Sequence, residues 1–321
     1  MSEGAKVLLD LDTGIDDALA LAYVLGSPEA ELVGVVCSYG NVTVETAARN
    51  THVLLDLLGH PDIPVYLGAD RPLCASSPFE PPAGVVRIHG ADGLGNVGSL
   101  DRPYNTSARE ADFARLAEVL YGSQLYYVPT GPLTNLALAL RTTSRPMAGL
   151  PRVTFMGGAL TVPGNVTPCS EANIHNDPEA ADVVLRSGLK TRMVGLDVTH
   201  QVVLTREETA AWRELGTPAA RLFADMTDHY IGIYEKNNPH MGGCALHDPL
   251  AVAAALDPTL VTRLPANLQV DLEGSARGRT ICDPDRLRDA EKDCEVALTV
   301  DAPRFLEEFR ARVRRALGAR A

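Results

Sequence analysis

The sequence has no apolar run approaching the roughly 18 residues of a membrane-spanning helix, and Met1 to Lys6 is too short and polar for a signal peptide. These absences predict a cytoplasmic protein without a membrane partner. Positive charge is scarce, with 29 Lys and Arg against 41 Asp and Glu and a formal net charge of -12. Nucleic acid or an anionic bilayer calls for a clustered basic patch. The Arg-dense run from Arg310 to Arg315 reads instead as a solvated helix face, so no nucleic-acid partner is expected. The six cysteines, Cys37, Cys74, Cys169, Cys244, Cys282 and Cys294, include no Cys-x-x-Cys pair. Neither a zinc cluster nor a disulfide framework is suggested, and reduced thiols are expected. Linkers, low-complexity segments and internal repeats are also lacking.

What is present is ample apolar material, 45% of 321 residues, enough for one large core or two modest ones. Short β-rich runs alternate with stretches of helical period, the pattern of a parallel sheet flanked by helices. The expected fold is α/β, a single Rossmann-like domain over residues 1–321 with a mostly parallel central sheet. Strands are predicted at Lys6 to Leu11, Glu31 to Ser38, Ile63 to Tyr66, Gln124 to Pro129, Arg152 to Met156 and Thr191 to Leu196. Helices are predicted at Asp16 to Leu25, Thr43 to Leu58, Ala108 to Tyr121, Leu133 to Arg141 and Pro178 to Ser187, with Glu207 to Tyr234 mostly helical. Val270 to Leu272 and Glu295 to Val300 read as a terminal β pair before a last helix, Pro303 to Leu317, and proline-rich Arg71 to Gly84 reads as a long loop.

The chemistry concentrates first in LLDLDTGIDDALAL. Asp10 and Asp12 are two apart on a strand and share a side, while Asp16 and Asp17 fall in the first turn of the next helix. Four carboxylates within about 8 residues repel one another unless a cation neutralises them. An all-oxygen set without His or Cys selects Ca2+ or Mg2+ over zinc. Taken singly, Asp16 or Asp17 is as well explained by capping its helix.

This run resembles the inosine-uridine preferring nucleoside hydrolase family, whose signature is an Asp-x-Asp-Pro-Gly-x-Asp-Asp strand and turn; Thr13 stands in place of the proline. A haloacid dehalogenase-type phosphatase also begins Asp-x-Asp, but it expects Gly then Thr, the reverse of Thr13 and Gly14. The resemblance continues along nearly the whole chain. CSYGN ends at Asn41, VRIHGADGLG carries His89 in a Gly-rich loop, and YVPTGPLTN places Thr130 at a strand end. MGGALTVPGNVTPCSEANIHNDPEAAD supplies Asn165, Glu171 and Asn173, GLDVTH follows at Asp197, and CALHDPLAV gives His247 and Asp248. In an open α/β sheet such residues meet beyond the carboxyl ends of the strands.

The resemblance implies hydrolysis of the N-glycosidic bond of ribonucleosides, with Ca2+ on Asp12, Asp17, Asp248 and the main-chain oxygen of Thr130. Asp12 becomes the general base for a water that attacks with inversion. Asp16, Asn41, Asn165, Glu171 and Asn173 become ribose ligands. His247, with an imidazole of near-neutral pKa, becomes the acid for the leaving base, Tyr234 its assistant, and His89 a lining residue. Ala172 replaces a common aromatic and leaves purine against pyrimidine preference open. The expected partners are a ribonucleoside and further copies of the chain, in a homodimer or homotetramer. Two alternatives stand beside this one. A non-catalytic, calcium-dependent ribose- or nucleoside-binding protein is disfavoured by the intact Asp12, and a phosphohydrolase by the want of a Lys or Arg at a strand end.

Overall fold

The computed structural model describes residues 4–97, 108–122, 125–145 and 152–318. Its first run is β1 (Ala5–Leu11), α1 (Ile15–Leu25), β2 (Ala30–Cys37), α2 (Val44–Leu57) and β3 (Val65–Leu67). After the loop from Gly68 come α3 (Ala83–His89), β4 (Arg109–Glu110), α4 (Phe113–Gly122), β5 (Leu125–Pro129) and α5 (Thr134–Arg141). The second half opens with β6 (Val153–Met156), α6 (Ala172–Asn176), α7 (Pro178–Leu185), β7 (Thr191–Val194), α8 (Leu196–Thr199) and β8 (Val203–Leu204). It continues through α9 (Arg206–Arg213), α10 (Pro218–Asn237), β9 (Cys244–Ala245) and α11 (His247–Leu256). The chain then forms β10 (Val261–Ala266), β11 (Leu268–Val270), β12 (Thr280–Cys282), β13 (Cys294–Val300) and α12 (Ala302–Gly318).

β4-β3-β2-β1-β5 pair in that order and all in parallel, and β10-β13-β7-β6 form a second stretch in which only the β10–β13 pair is antiparallel. β5 and β6 lie side by side where the two stretches meet. The α/β architecture with a mostly parallel sheet is therefore as the periodicity predicts. Each βα crossover leaves its loop at the carboxyl end of a strand, so β1, β5, β6 and β7 all deliver their following residues to one rim.

Several predicted elements shift. Glu295 to Val300 is a strand, but its antiparallel partner is Val261 to Ala266, while Leu268–Val270 pairs with Thr280–Cys282. Pro265 obscured the true partner; it is tolerated because β10 is an edge strand. The helix expected from Ala108 begins at Phe113, after the short β4. Gln124, the expected start of β5, lies outside the described residues. The long helical stretch breaks at residues 214–217, where Thr217 caps α10 by accepting from the Ala220 N–H at 3.1 Å. Arg310 to Arg315 is more than a solvated face, because Arg310 pairs with Glu208 and Arg312 with Glu29 and Glu308.

α1 is buried along nearly its whole length, an unusual place for a helix bearing Asp16 and Asp17. It is held between the equally buried α11 and the aromatic face of α12, where Tyr23 stacks on Phe309 with centroids 6.2 Å apart. Small residues let these helices approach: a Cβ at Gly26, which ends α1, would lie 1.9 Å from the Arg312 carbonyl oxygen of α12. Gly26→Ala should force the two helices apart and lower stability by about 1–3 kcal/mol in urea unfolding. A variant unchanged in midpoint would show that this contact adds nothing to the core.

Candidate functional site

The rim above β1 is built from acids. Asp12 leaves the strand fully buried, and both its oxygens are held by Asn41, Oδ2 by the main-chain N–H at 2.7 Å and Oδ1 by Nδ2 at 3.2 Å. Gly40 permits this approach: its φ is +153°, and a Cβ there would lie 2.0 Å from Asp12 Oδ2. Asp17 accepts from the Gly14 N–H at 2.8 Å, from Asn41 Nδ2 at 3.1 Å and from Thr130 Oγ1 at 2.7 Å. It caps its own helix, as its position allowed, and also ties three loops together.

Asp10 departs from the expected cluster. Its carboxylate turns away to accept from the Tyr127 hydroxyl and from Asn135 Nδ2 at 2.9 Å, which fastens β1 to β5 and α5. Asp248, first-turn residue of α11, takes the fourth place. Asp16, Asp17 and Asp248 each offer an oxygen within 4.8 Å of the others, and Asp16 Oδ1 is buried without a hydrogen-bond partner. Among the described residues no Lys or Arg pairs with Asp12, Asp16, Asp17 or Asp248. Burial pushes Asp16 up to about 7, with the charge on Asp17 adding to it, and raises Asp12 and Asp248 well above the carboxylate range. Acceptor-only side chains, crowded, buried and unpaired, are the donor set that a hard divalent cation fits.

The other wall is aromatic. His247, 4% exposed, is held at both ring nitrogens: Nε2 lies 2.7 Å from the Tyr234 hydroxyl and Nδ1 lies 2.8 Å from Thr199 Oγ1. Tyr230 stands edge-on to Tyr234 and tilted against His89, and His200 packs edge-on to His247. The near-neutral imidazole expected of His247 is not found, since burial, with nearby His200 adding to it, pushes it down to about 3. A ring in that environment is neutral at neutral pH. His89 closes α3 rather than sitting within the glycine-rich loop, and its Nδ1 accepts from the Ile15 N–H at 3.3 Å.

The third edge comes from α6. Glu171 caps this helix, accepting from the main-chain N–H groups of Gly158, Asn173 and Ile174 at 2.9, 2.9 and 3.2 Å. Burial raises its pKa despite these bonds. Asn173 Nδ2 donates to the Thr130 carbonyl at 2.6 Å, which joins the acidic corner to this edge. Asn165 is exposed and reaches the group only indirectly, its Oδ1 accepting from the Ala172 N–H at 3.0 Å. Thr199, Tyr230 and His200 were not singled out from sequence. Thr199 and His200 lie in the GLDVTH segment, but nothing in its spacing says that they meet His247. Thr13 is buried, its hydroxyl 2.8 Å from that of Thr51, so the turn is fastened by side chains where a proline would stiffen it.

The acids generate a sign-definite expectation. Their folded pKa values lie above those of the unfolded chain, so the folded state binds more protons between about pH 4 and the folded value near 7 shown by Asp10 and Asp16. Without divalent metal, stability from these groups is greatest below pH 4 and is lost as pH rises through 7. Calorimetry in chelator and in excess Ca2+ should show a calcium-induced rise in Tm that is larger at pH 8 than at pH 5. An equal rise at both values would mean that the ion binds elsewhere.

A family profile described as inosine-uridine preferring nucleoside hydrolase matches residues 7–307. The chain is 33% identical to uridine nucleosidase 1 of Arabidopsis thaliana, covering 96% of this chain and 93% of that protein. It is 34% identical to the inosine-uridine preferring nucleoside hydrolase of Leishmania major, covering 94% of each. The solved structure of a purine-preferring ribonucleoside hydrolase from Gardnerella vaginalis superimposes with a TM-score of 0.93 at 49% identity, over 98% of this chain and 99% of that one. The chain therefore belongs to the inosine-uridine preferring nucleoside hydrolase family, and it is an N-glycosyl hydrolase acting on nucleosides.

Proposed function

We propose that the enzyme cleaves ribonucleosides to free base and ribose with Ca2+ held by Asp12, Asp17, Asp248 and the Thr130 carbonyl. The observation that carries this is the buried meeting of Asp16, Asp17 and Asp248 beside Asp12, without a Lys or Arg partner among the described residues and with an orphaned Asp16 oxygen. When bound, the ion offsets the repulsion among these acids and lowers the pKa of a coordinated water. Asp12, its orientation fixed by Asn41, accepts the proton of the water that attacks the anomeric carbon, with inversion. Asp16, Asn41, Asn165, Glu171 and Asn173 bind the ribose hydroxyls and hold the ring near an oxocarbenium-like geometry. Across the ribose, His247 and Tyr234 supply the proton to the leaving nitrogen, and His89 lines the same wall.

Inosine is favoured over uridine in this proposal. The relative described as purine-preferring is 49% identical, against 33% and 34% for relatives named for uridine or pyrimidines. We further place the enzyme in the cytoplasm, as its free cysteines favour, and as a homodimer or homotetramer that sedimentation would read.

A panel of ribonucleosides and 2′-deoxynucleosides, with base and sugar quantified with and without chelator, tests the reading. Inosine should be cleaved fastest, the deoxy analogues slower by about 10²-fold or more because buried polar groups lose their partner, and chelator should abolish turnover. Binding without cleavage would leave a ribose-binding protein instead. Asp12→Asn should lower kcat by about 10²- to 10⁴-fold with the fold intact; near-normal turnover would remove Asp12 as the base.

The two halves of catalysis are separable. His247→Ala should slow inosine by about 10²-fold, the range of general acid catalysis. A nitrophenyl riboside, whose phenolate leaves without a proton, should suffer far less. Equal loss on both substrates would assign His247 to positioning Asp248 or the ribose.

A further inference from the structure

α8 is a single turn set at the end of β7 by Gly195, and its four side chains are buried. Asp197, also buried, holds the loop after β6, accepting from the N–H groups of Leu160 at 2.9 Å and Thr161 at 2.6 Å. Thr199 faces the site, is 0% exposed, and has His247 Nδ1 as its hydroxyl's sole hydrogen-bond partner among the described residues.

Proton accounting then decides the ring's state. A threonine hydroxyl carries one proton, and a buried donor must find an acceptor. If Nδ1 bore a proton, Thr199 Oγ1 would accept it and the hydroxyl's own proton would face nothing. An imidazolium, which donates from both nitrogens, leaves the same orphan. With Nδ1 bare, Thr199 donates to it and both atoms are satisfied. The imidazole proton then sits on Nε2, which donates to the Tyr234 oxygen at 2.7 Å. Tyr234 also accepts from the Tyr230 hydroxyl and keeps its own proton for a further partner. It is half-buried where His247 is buried.

We propose that Thr199 is a positioning residue that fixes His247 as the Nε2–H tautomer, so that the proton for the departing base leaves from the Tyr234 hydroxyl. This deepens the ribonucleoside-hydrolase reading and rests on it. As the glycosidic C–N bond breaks, its electron pair goes to the base nitrogen, which takes the Tyr234 proton. The resulting phenolate is held by His247 Nε2–H. The proton that Asp12 takes from water returns to Tyr234 through solvent once products leave.

Two arms test the proposal. In ¹⁵N-histidine NMR of the whole protein, with the His247 signals assigned by their loss in His247→Asn, the proton should reside on Nε2 and Nδ1 should be bare. In kinetics, Thr199→Val should lower the ratio of inosine to nitrophenyl riboside kcat by about 10-fold with KM little changed, and Thr199→Ser should restore it. A proton on Nδ1 in the unmodified protein overturns the proposal, as does an equal loss on both substrates. Should Thr199→Val fail to fold, the unmodified spectrum decides. An unmodified protein inactive on every riboside would sink the parent reading, while the spectrum would still decide the tautomer.

Discussion

Mutual repulsion among Asp12, Asp16, Asp17 and Asp248 is the constraint on which the rest of the structure depends. Four acids are buried together at the carboxyl end of β1 with no cationic side chain beside them among the described residues. Such a group is unfavourable as a set of free carboxylates, and the surrounding fold is built to hold it. Asn41 fastens Asp12, Gly14 and Thr130 fasten Asp17, and the packing of α1 against α11 and α12 brings Asp16 to Asp248. The cost of burying the acids is what a divalent ion would relieve, so the proposed metal binding would be coupled to stability through the same atoms.

The aromatic wall answers a different demand. In the proposed mechanism the acidic side accepts a proton from water and the base side donates one, and the two environments push their groups in opposite directions. Burial raises the carboxylates, which suits Asp12 to the role of base proposed for it, and lowers His247, which removes a standing positive charge from beside the acids. A neutral ring can still organise a proton through its hydrogen bonds to Thr199 and Tyr234. α8 contributes more to this than its length suggests, because one turn orders both the loop after β6 and the imidazole.

Much of this was legible along the chain. Alternating strand and helix periods gave the parallel sheet, since buried strands and amphipathic helices leave distinct patterns in one dimension. The Asp-x-Asp-Thr-Gly-x-Asp-Asp turn announced its acids because they are close in sequence. Asp10 misled for the same reason: alternation along a strand says which side a residue faces, not that Tyr127 and Asn135 will claim it. The β10 partner of β13 was hidden by Pro265, which reads as a breaker until the strand is known to lie at an edge.

The sequence by itself determined the fold class, the acidic corner, the family and the identity of most residues around the site, all properties carried by local pattern or by order along the chain. Tertiary structure alone decided that Asp10 turns away to Tyr127 and Asn135, that His247 is buried and neutral, and that Thr199 holds its ring. Those facts depend on which side chains meet across 48 residues or more and on how completely water is excluded from them. Hydrogen-bond partners and desolvation are properties of a packed volume, and no single stretch of chain contains them.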